Sequence, residues 1–371
     1  MSELPLADDH VDMVTGHGHD CNGHYAQWLR AQTPDAEFLR DPKNQFPHNY
    51  TCPQAIRTRV PEYLYPTSFI RDRAIQFLDQ VGQTDEPFFA FVSFPDPHHP
   101  FTPPGKYWDL YDPADFHLRL PYEAHKNPIP PMRWLQERWT KGERVASGQE
   151  AFMASQQELK EAMALSCGMI TMIDDAIGEI MAALHRSGKA DGTIIVFTSD
   201  HGDYLGDFNL LLKGALMLRS INNVSFIWAD PRAKAGAVSH ALTSTVDIAP
   251  TIIERAGLKP YFGIQGKSLL SKLDGSSTLR DRLVIEHQDN MTRMGFKEPC
   301  MVRTLLTQGY RLTIYKGEAW GELYDHSVDP DETHNRWDDD AYAPVKSNLL
   351  EHLAQEMLTN VDQSPHARRR A

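Results

Sequence analysis

The chain has 371 residues, enough for one large domain or two, and long enough to bury a core without disulfide staples. Its 41% hydrophobic and 23% charged residues are the proportions of a soluble globular protein. Acidic side chains outnumber basic ones, 50 to 37, and the net charge of −13 argues against nucleic acid or an anionic membrane surface as partner. The four cysteines, Cys21, Cys52, Cys167 and Cys300, include no C-x-x-C pair and make no disulfide framework. No run of 18 apolar residues marks a transmembrane helix. The N-terminus has neither a basic nor an apolar segment of a signal peptide, so the expected location is cytoplasmic.

Residues 1–66 are irregular and rich in Pro, His and Asp. His17, His19, Cys21 and His24 offer metal-binding atoms within a short stretch, but the spacing fits no standard zinc site and reads as a loop. Residues 25–30 form a short helix. Residues 68–81 read as an amphipathic helix, with Ile70, Ala74, Phe77, Leu78 and Val81 on one face and Thr67 or Ser68 as N-cap. An apolar strand is expected over 88–94, and alternating helix and strand predict a parallel sheet. The run Pro95-Asp96-Pro97-His98-His99-Pro100-Phe101 ends that strand, because proline stops a ladder, and presents His98 and His99 rigidly.

Residues 113–150 read as a long connection. A long helix follows over 155–185, with Leu159, Met163, Ile170, Ile173, Ile177, Ile180, Met181 and Leu184 as its apolar face and Gly188 as its stop. Met169 and Met172 are core filling. Asp174 and Asp175 are a solvated or capping pair, because adjacent helix positions do not face one point.

The chain is organised around residues 193–213. Residues 193–197 are a β-branched, apolar run, the texture of a parallel, central strand buried on both faces. Asp200, His201, Gly202 and Asp203 follow at its carboxyl end, where ligands of open α/β sheets bind. A carboxylate beside an imidazole can hold a divalent cation. Lys213 follows a glycine-containing loop and can return to the same place as a point charge for an anion. Beyond it come a short strand over 224–228 and a helix opened by Asp247 and Pro250 and ended by Gly257, with residues 263–270 closing the core. Short strands over 283–286, 301–306, 310–315 and 321–324, a helix over 345–359 and a basic tail complete the chain.

Several of these runs resemble the sulfatase family of the alkaline-phosphatase superfamily. Ser199-Asp200-His201-Gly202 with Lys213 resembles its metal- and sulfate-binding turn, and Pro97-His98-His99-Pro100-Phe101 resembles its Pro-His-x-Pro-Phe turn. Val246-Asp247-Ile248-Ala249-Pro250-Thr251 and Gly309-Tyr310-Arg311-Leu312 also resemble family segments. The resemblance implies an α/β fold: a mostly parallel, alkaline-phosphatase-like sheet flanked by helices over residues 1–274, and a small antiparallel C-terminal subdomain over 275–371. It implies Asp200 and His201 as ligands of Ca²⁺ or Mg²⁺, His98 and Lys213 as sulfate contacts and catalytic groups, His99 as a substrate-side neighbour, and the loop of His17, His19 and His24 near the mouth of the site. The substrate implied is a small-molecule sulfate ester. Two departures stand out: Phe208, where the family often has His, and Val224-Ser225-Phe226-Ile227, where it has Val-Pro-Leu-Ile.

The family's nucleophile, a Cys-x-Pro-Ser-Arg cysteine that becomes formylglycine, has no counterpart here. Cys52 is followed directly by Pro53 and lacks Ser-Arg, and Asp8-Asp9 follows no buried strand. The expectation is a chain matching the later part of a sulfatase and inactive as it stands. A truncated gene, a start codon placed late, or a missing part supplied elsewhere would each give that pattern. The alternatives are a phosphonate monoester or phosphodiester hydrolase of the same superfamily, and a non-catalytic remnant.

Overall fold

The structure is a computed structural model that describes residues 10–143, 148–233, 235–272 and 279–362. Asp8, Asp9 and the basic tail lie outside the described residues. In chain order the first elements are β1 (Val14–Thr15), β2 (Asn22–Gly23), α1 (His24–Gln32), α2 (Ala36–Arg40), α3 (Pro66–Val81), α4 (Pro130–Thr140), β3 (Phe152–Met153) and α5 (Gln156–Arg186). Then come β4 (Ile195–Thr198), β5 (Leu210–Leu211), α6 (Arg219–Asn222), β6 (Phe226–Ala229), α7 (Ile248–Arg255), β7 (Arg282–Gln288), β8 (Met301–Thr307), β9 (Tyr310–Tyr315), β10 (Gly321–Asp325) and α8 (Ala343–Thr359). The chain divides into two compact units, residues 1–119 with 154–193, and residues 120–153 with 194–371.

The first unit is built on α3 and α5. Ser155 opens α5 with a capping box: its hydroxyl accepts the Glu158 N–H at 3.2 Å, and the Glu158 carboxylate accepts the Ser155 N–H at 2.8 Å. The buried stripe of α5 runs through Leu159, Leu165, Met169, Met172 and Ala176, while Ile170, expected inside, is exposed. Apolar residues surround this helix, so periodicity left its orientation open, and a close approach settled it. A Cβ on Gly168 would lie 2.3 Å from the Tyr107 carbonyl oxygen, so only glycine lets that backbone lie against the helix. Asp174 and Asp175 are exposed, and Asp175 accepts the Tyr107 hydroxyl at 2.6 Å.

Two expectations in this unit are corrected. The N-cap of α3 is Tyr65, with Pro66 in the first turn. The Thr67 hydroxyl is spent on Asp96 at 2.9 Å and that of Ser68 on the Glu62 carbonyl at 2.7 Å. The segment 88–94 forms no ladder among the described residues, and Phe89 and Phe91 are 72% and 84% exposed. An apolar extended run becomes a strand only when a neighbour offers its N–H and C=O groups.

In the second unit, α4 lies within the stretch read as a connection. Its prolines occupy the first turn, where a missing N–H is harmless, and Met132 and Leu135 are buried one turn apart. The core here gathers Met132, Leu135, Met153, Tyr204, Phe208, Leu210, Leu216 and Val302. The strand expected to be central, parallel and buried on both faces is instead β4, paired antiparallel with β6 from Ile195↔Ala229 to Thr198↔Phe226, with Phe197 exposed. Every strand ladder among the described residues is antiparallel, so the mostly parallel sheet is not seen there. An apolar β-branched run specifies burial and extension, but strand direction depends on which neighbour pairs with it.

The C-terminal antiparallel sheet is as expected, a meander in the order β10-β9-β8-β7. Its register stacks Leu305, Leu312 and Leu323 across three strands, and Leu349 and Leu353 of α8 cover them. Asp247 is structural, though its side chain does not cap α7. Fully buried, it takes both guanidinium nitrogens of Arg280 at 2.6 Å and accepts the N–H groups of Ser244 and Lys267 at 2.8 Å.

Candidate active site

The turn after β4 is shaped by a close backbone approach. A Cβ on Gly202 would fall 1.8 Å from the Ser220 carbonyl oxygen, and the Gly202 N–H donates to the Ile221 carbonyl at 2.9 Å. That contact turns Asp200 and His201 away from the strand. The His201 N–H donates to Asp200 Oδ1 at 2.8 Å, and the Ser199 hydroxyl donates to the His201 carbonyl at 2.9 Å. His201 Nδ1 lies 2.8 Å from the Gly202 carbonyl. A carbonyl only accepts, so Nδ1 carries a proton, and in the neutral ring Nε2 presents a lone pair. That lone pair faces Asp200 Oδ2 at 3.4 Å and Lys213 Nζ at 3.2 Å.

Lys213 is returned to this corner by a tightly folded loop. The Tyr204 N–H donates to the Leu212 carbonyl at 2.9 Å and the Gly206 N–H to the Leu210 carbonyl at 2.8 Å. The Tyr204 hydroxyl bonds Leu216 through both backbone groups at 3.1 Å. Phe208, where the family often has histidine, sits in the core at positive φ and donates its N–H to the Leu120 carbonyl at 2.7 Å. Its role in this loop is packing.

The charges at the corner are tuned. Burial would raise the Asp200 carboxyl, but the His201 N–H and the nearby His201 and Lys213 outweigh it and hold the group below its ordinary value. Burial lowers the Lys213 ammonium, against the pull of Asp200 and Asp203. Asp203, which sequence reasoning left without a role, is half-buried, and desolvation pushes its carboxyl up to about 6. Its position two residues after the motif histidine was the available signal.

In the first unit, His98 Nδ1 lies 2.5 Å from the His99 carbonyl, and the His98 ring stacks on His17 at 3.5 Å and on His99 at 4.1 Å between centroids. The loop flagged for its histidines therefore does reach His98 through His17. Arg40 holds that loop, donating to Asp20 Oδ1 at 2.8 Å, the Cys21 carbonyl at 2.8 Å and Asn22 Oδ1 at 3.0 Å. The loop's own ligand atoms do not gather as a metal group among the described residues. Beneath the turn, Asp96 accepts the hydroxyls of Thr67 at 2.9 Å and Tyr65 at 3.4 Å, and desolvation pushes its carboxyl up to about 7. Cys52 is buried, and desolvation pushes its thiol up to about 12, which agrees with its rejection as a nucleophile.

Comparison with known proteins joins these observations to a family. The sulfatase family model matches residues 12–258, and the model for the C-terminal part of N-sulphoglucosamine sulphohydrolase matches residues 212–359. The chain belongs to the sulfatase family. It is 29% identical over 290 residues to the uncharacterized sulfatase YidJ of Escherichia coli, covering 78% of this chain and 54% of that protein. It is 27% identical over 324 residues to the multifunctional alkaline phosphatase superfamily protein PehA of Trinickia caryophylli, covering 83% of this chain and 62% of that protein. Among solved structures, the phosphonate monoester hydrolase of Agrobacterium radiobacter superimposes with a TM-score of 0.73 at 26% identity, covering 92% of this chain and 70% of that one. The chain thus spans between half and two thirds of the length of these two curated relatives.

Proposed function

We propose that this chain carries part of the active site of a hydrolase of small sulfate monoesters. Asp200 and His201 are two ligands of a divalent cation, Lys213 is a sulfate contact, and His98 with its neighbour His99 acts on the substrate side. The observation that supports this reading best is the meeting of Asp200 Oδ2, His201 Nε2 and Lys213 Nζ at one corner, with separations of 3.4 and 3.2 Å.

The donor set suits a cation as part of a shell. Two ligand atoms at right angles around an ion with bonds of about 2.3 Å stand about 3.3 Å apart, close to the Asp200–His201 separation. Ca²⁺ takes six to eight oxygens, so one carboxylate and one imidazole are a fraction of what it needs. When bound, the cation would supply Lewis-acid polarisation of a sulfate oxygen. The ammonium of Lys213 orients the anion, and the lowered Asp200 carboxyl keeps its charge for the cation. Formylglycine does not fit these residues: none of the four cysteines stands in a Cys-x-Pro-Ser-Arg context. A phosphonate monoester substrate is the second reading, favoured by the likeness to the Agrobacterium radiobacter enzyme.

The test is calorimetric titration of residues 1–371 with Ca²⁺, then with an aryl sulfate and an aryl phosphonate monoester. Weak cation binding, lowered roughly tenfold or more in Asp200→Asn, and anion binding lost in Lys213→Ala are expected, with negligible turnover by the chain alone. Cation binding indifferent to Asp200→Asn would overturn the metal assignment. A preference for the phosphonate ester would move the substrate to the second reading.

A further inference from the structure

The hairpin of β7 and β8 brings three metal-ligating side chains together at its loop end, where residues 289–300 join the two strands. The ladder closes with His287↔Val302 and Gln288↔Met301, so Asp289 and Cys300 are the next facing pair, and the Asp289 N–H donates to the Cys300 carbonyl at 2.9 Å. His287 and Asp289, two residues apart on one strand, share a face, and a residue directly across an antiparallel pair shares it too. Ile285, two residues earlier on that face, packs against the core cluster that holds Cys300. The ligand atoms of His287, Asp289 and Cys300 all lie within 4.8 Å of one another.

Two of the three side chains have unused capacity. His287 Nε2 is buried and has no hydrogen-bond partner among the described residues. A buried polar atom left so is costly and calls for an explanation. Asp289 Oδ1 accepts the N–H groups of Asn290 at 3.0 Å and Met291 at 3.4 Å and faces Arg293 Nε at 3.3 Å, while among the described residues no hydrogen bond to Oδ2 is seen. Burial lowers His287, which favours the neutral imidazole that a metal binds.

We propose that His287, Asp289 and Cys300 form a site for a zinc-class divalent cation, separate in its residues from the Asp200–His201 corner. One nitrogen, one oxygen and one sulfur select a borderline-soft ion over Ca²⁺ or Mg²⁺. Around tetrahedral zinc, ligand atoms stand about 3.3–3.7 Å apart, so the three need close by only about an ångström. Three protein ligands leave a fourth position for water. Binding exchanges the Cys300 thiol proton for the ion and releases that proton to solvent. Arg293 is the built-in competitor, because its guanidinium already faces Asp289.

The experiment uses the full chain, stripped with chelator and titrated with Co²⁺ as a spectroscopic stand-in. A thiolate-to-cobalt absorption band saturating near about one equivalent and quenched by Zn²⁺ is expected. Cys300→Ser should abolish the band, His287→Gln should weaken binding roughly tenfold or more, and Cys167→Ser should leave the band intact. Arg293→Ala should tighten binding, which no general loss of folding would do. Because the Asp200–His201 corner holds no sulfur, its failure or success does not alter this band. No band in the wild-type chain, or a band undiminished in both Cys300→Ser and His287→Gln, overturns the proposal.

Discussion

Asp200, His201 and Lys213 meet because two backbone facts force them to: the glycine-only contact at Gly202 and the folded loop from Asp203 to Leu212. At the same scale, Asp96 sits under the His98 turn as a buried carboxyl raised to about 7 by desolvation. The sign of its linkage follows directly. Below about pH 4 the carboxyl is protonated in both states and costs nothing. As pH rises from about 4 to about 7 the unfolded chain ionises first, so the folded state loses stability, by up to about 4 kcal/mol. Above that window the effect is level. Asp96→Asn should therefore gain on the wild type progressively across pH 4–7 in urea unfolding, then hold its advantage. Parallel profiles for the two proteins would show that Asp96 ionises freely in the fold.

Among the elements, the C-terminal sheet carries a polar face as well as its leucine face. Arg311 is buried and grips Glu332 with two bonds, at 2.8 and 2.9 Å, and reaches Glu322 at 3.4 Å. Tyr315 and Tyr324 donate to Glu322 at 2.8 and 3.1 Å, and the Tyr324 hydroxyl meets His125 Nε2 at 2.8 Å. Burial opposes ionisation of Glu332, but the Arg311 charge wins and holds its carboxyl at about 2. This pair therefore stabilises the fold above about pH 4.5 and loses its contribution only as pH falls toward 2. Arg311→Met would strand two buried carboxylates and should cost about 3–5 kcal/mol near neutral pH, with a smaller loss in acid where Glu332 protonates. Equal losses at pH 2.5 and pH 8 in chemical denaturation would refute that account.

For the molecule as a whole, the net charge of −13 keeps copies apart, but residues 88–92 work against it. Phe89 and Phe91 are exposed on a segment that has no ladder among the described residues. Exposed apolar side chains on an unpaired extended segment promote association. The double substitution Phe89→Ser/Phe91→Ser should lower light scattering at fixed concentration while changing stability by no more than about 0.5 kcal/mol. Unchanged scattering would show that Phe89 and Phe91 do not drive association. No described helix is long and apolar enough to cross a membrane.

Patterns carried by contiguous residues were legible in the sequence by itself. The strand-end position of Asp200 and His201, the long helix begun at Ser155, the short strands of the C-terminal sheet and the family itself are local patterns, and local patterns survive without partners. The tertiary structure decided whatever depended on a distant neighbour. It turned α5 so that Ile170 faces out, because Gly168 meets Tyr107. It left 88–94 without a ladder and gave β4 an antiparallel partner, because pairing needs a second chain segment that no single strand can specify. It raised Asp96 and Asp203, because burial is a property of everything packed around a carboxyl. It also set His287 and Asp289 beside Cys300, more than ten residues away in sequence, through the register of one hairpin.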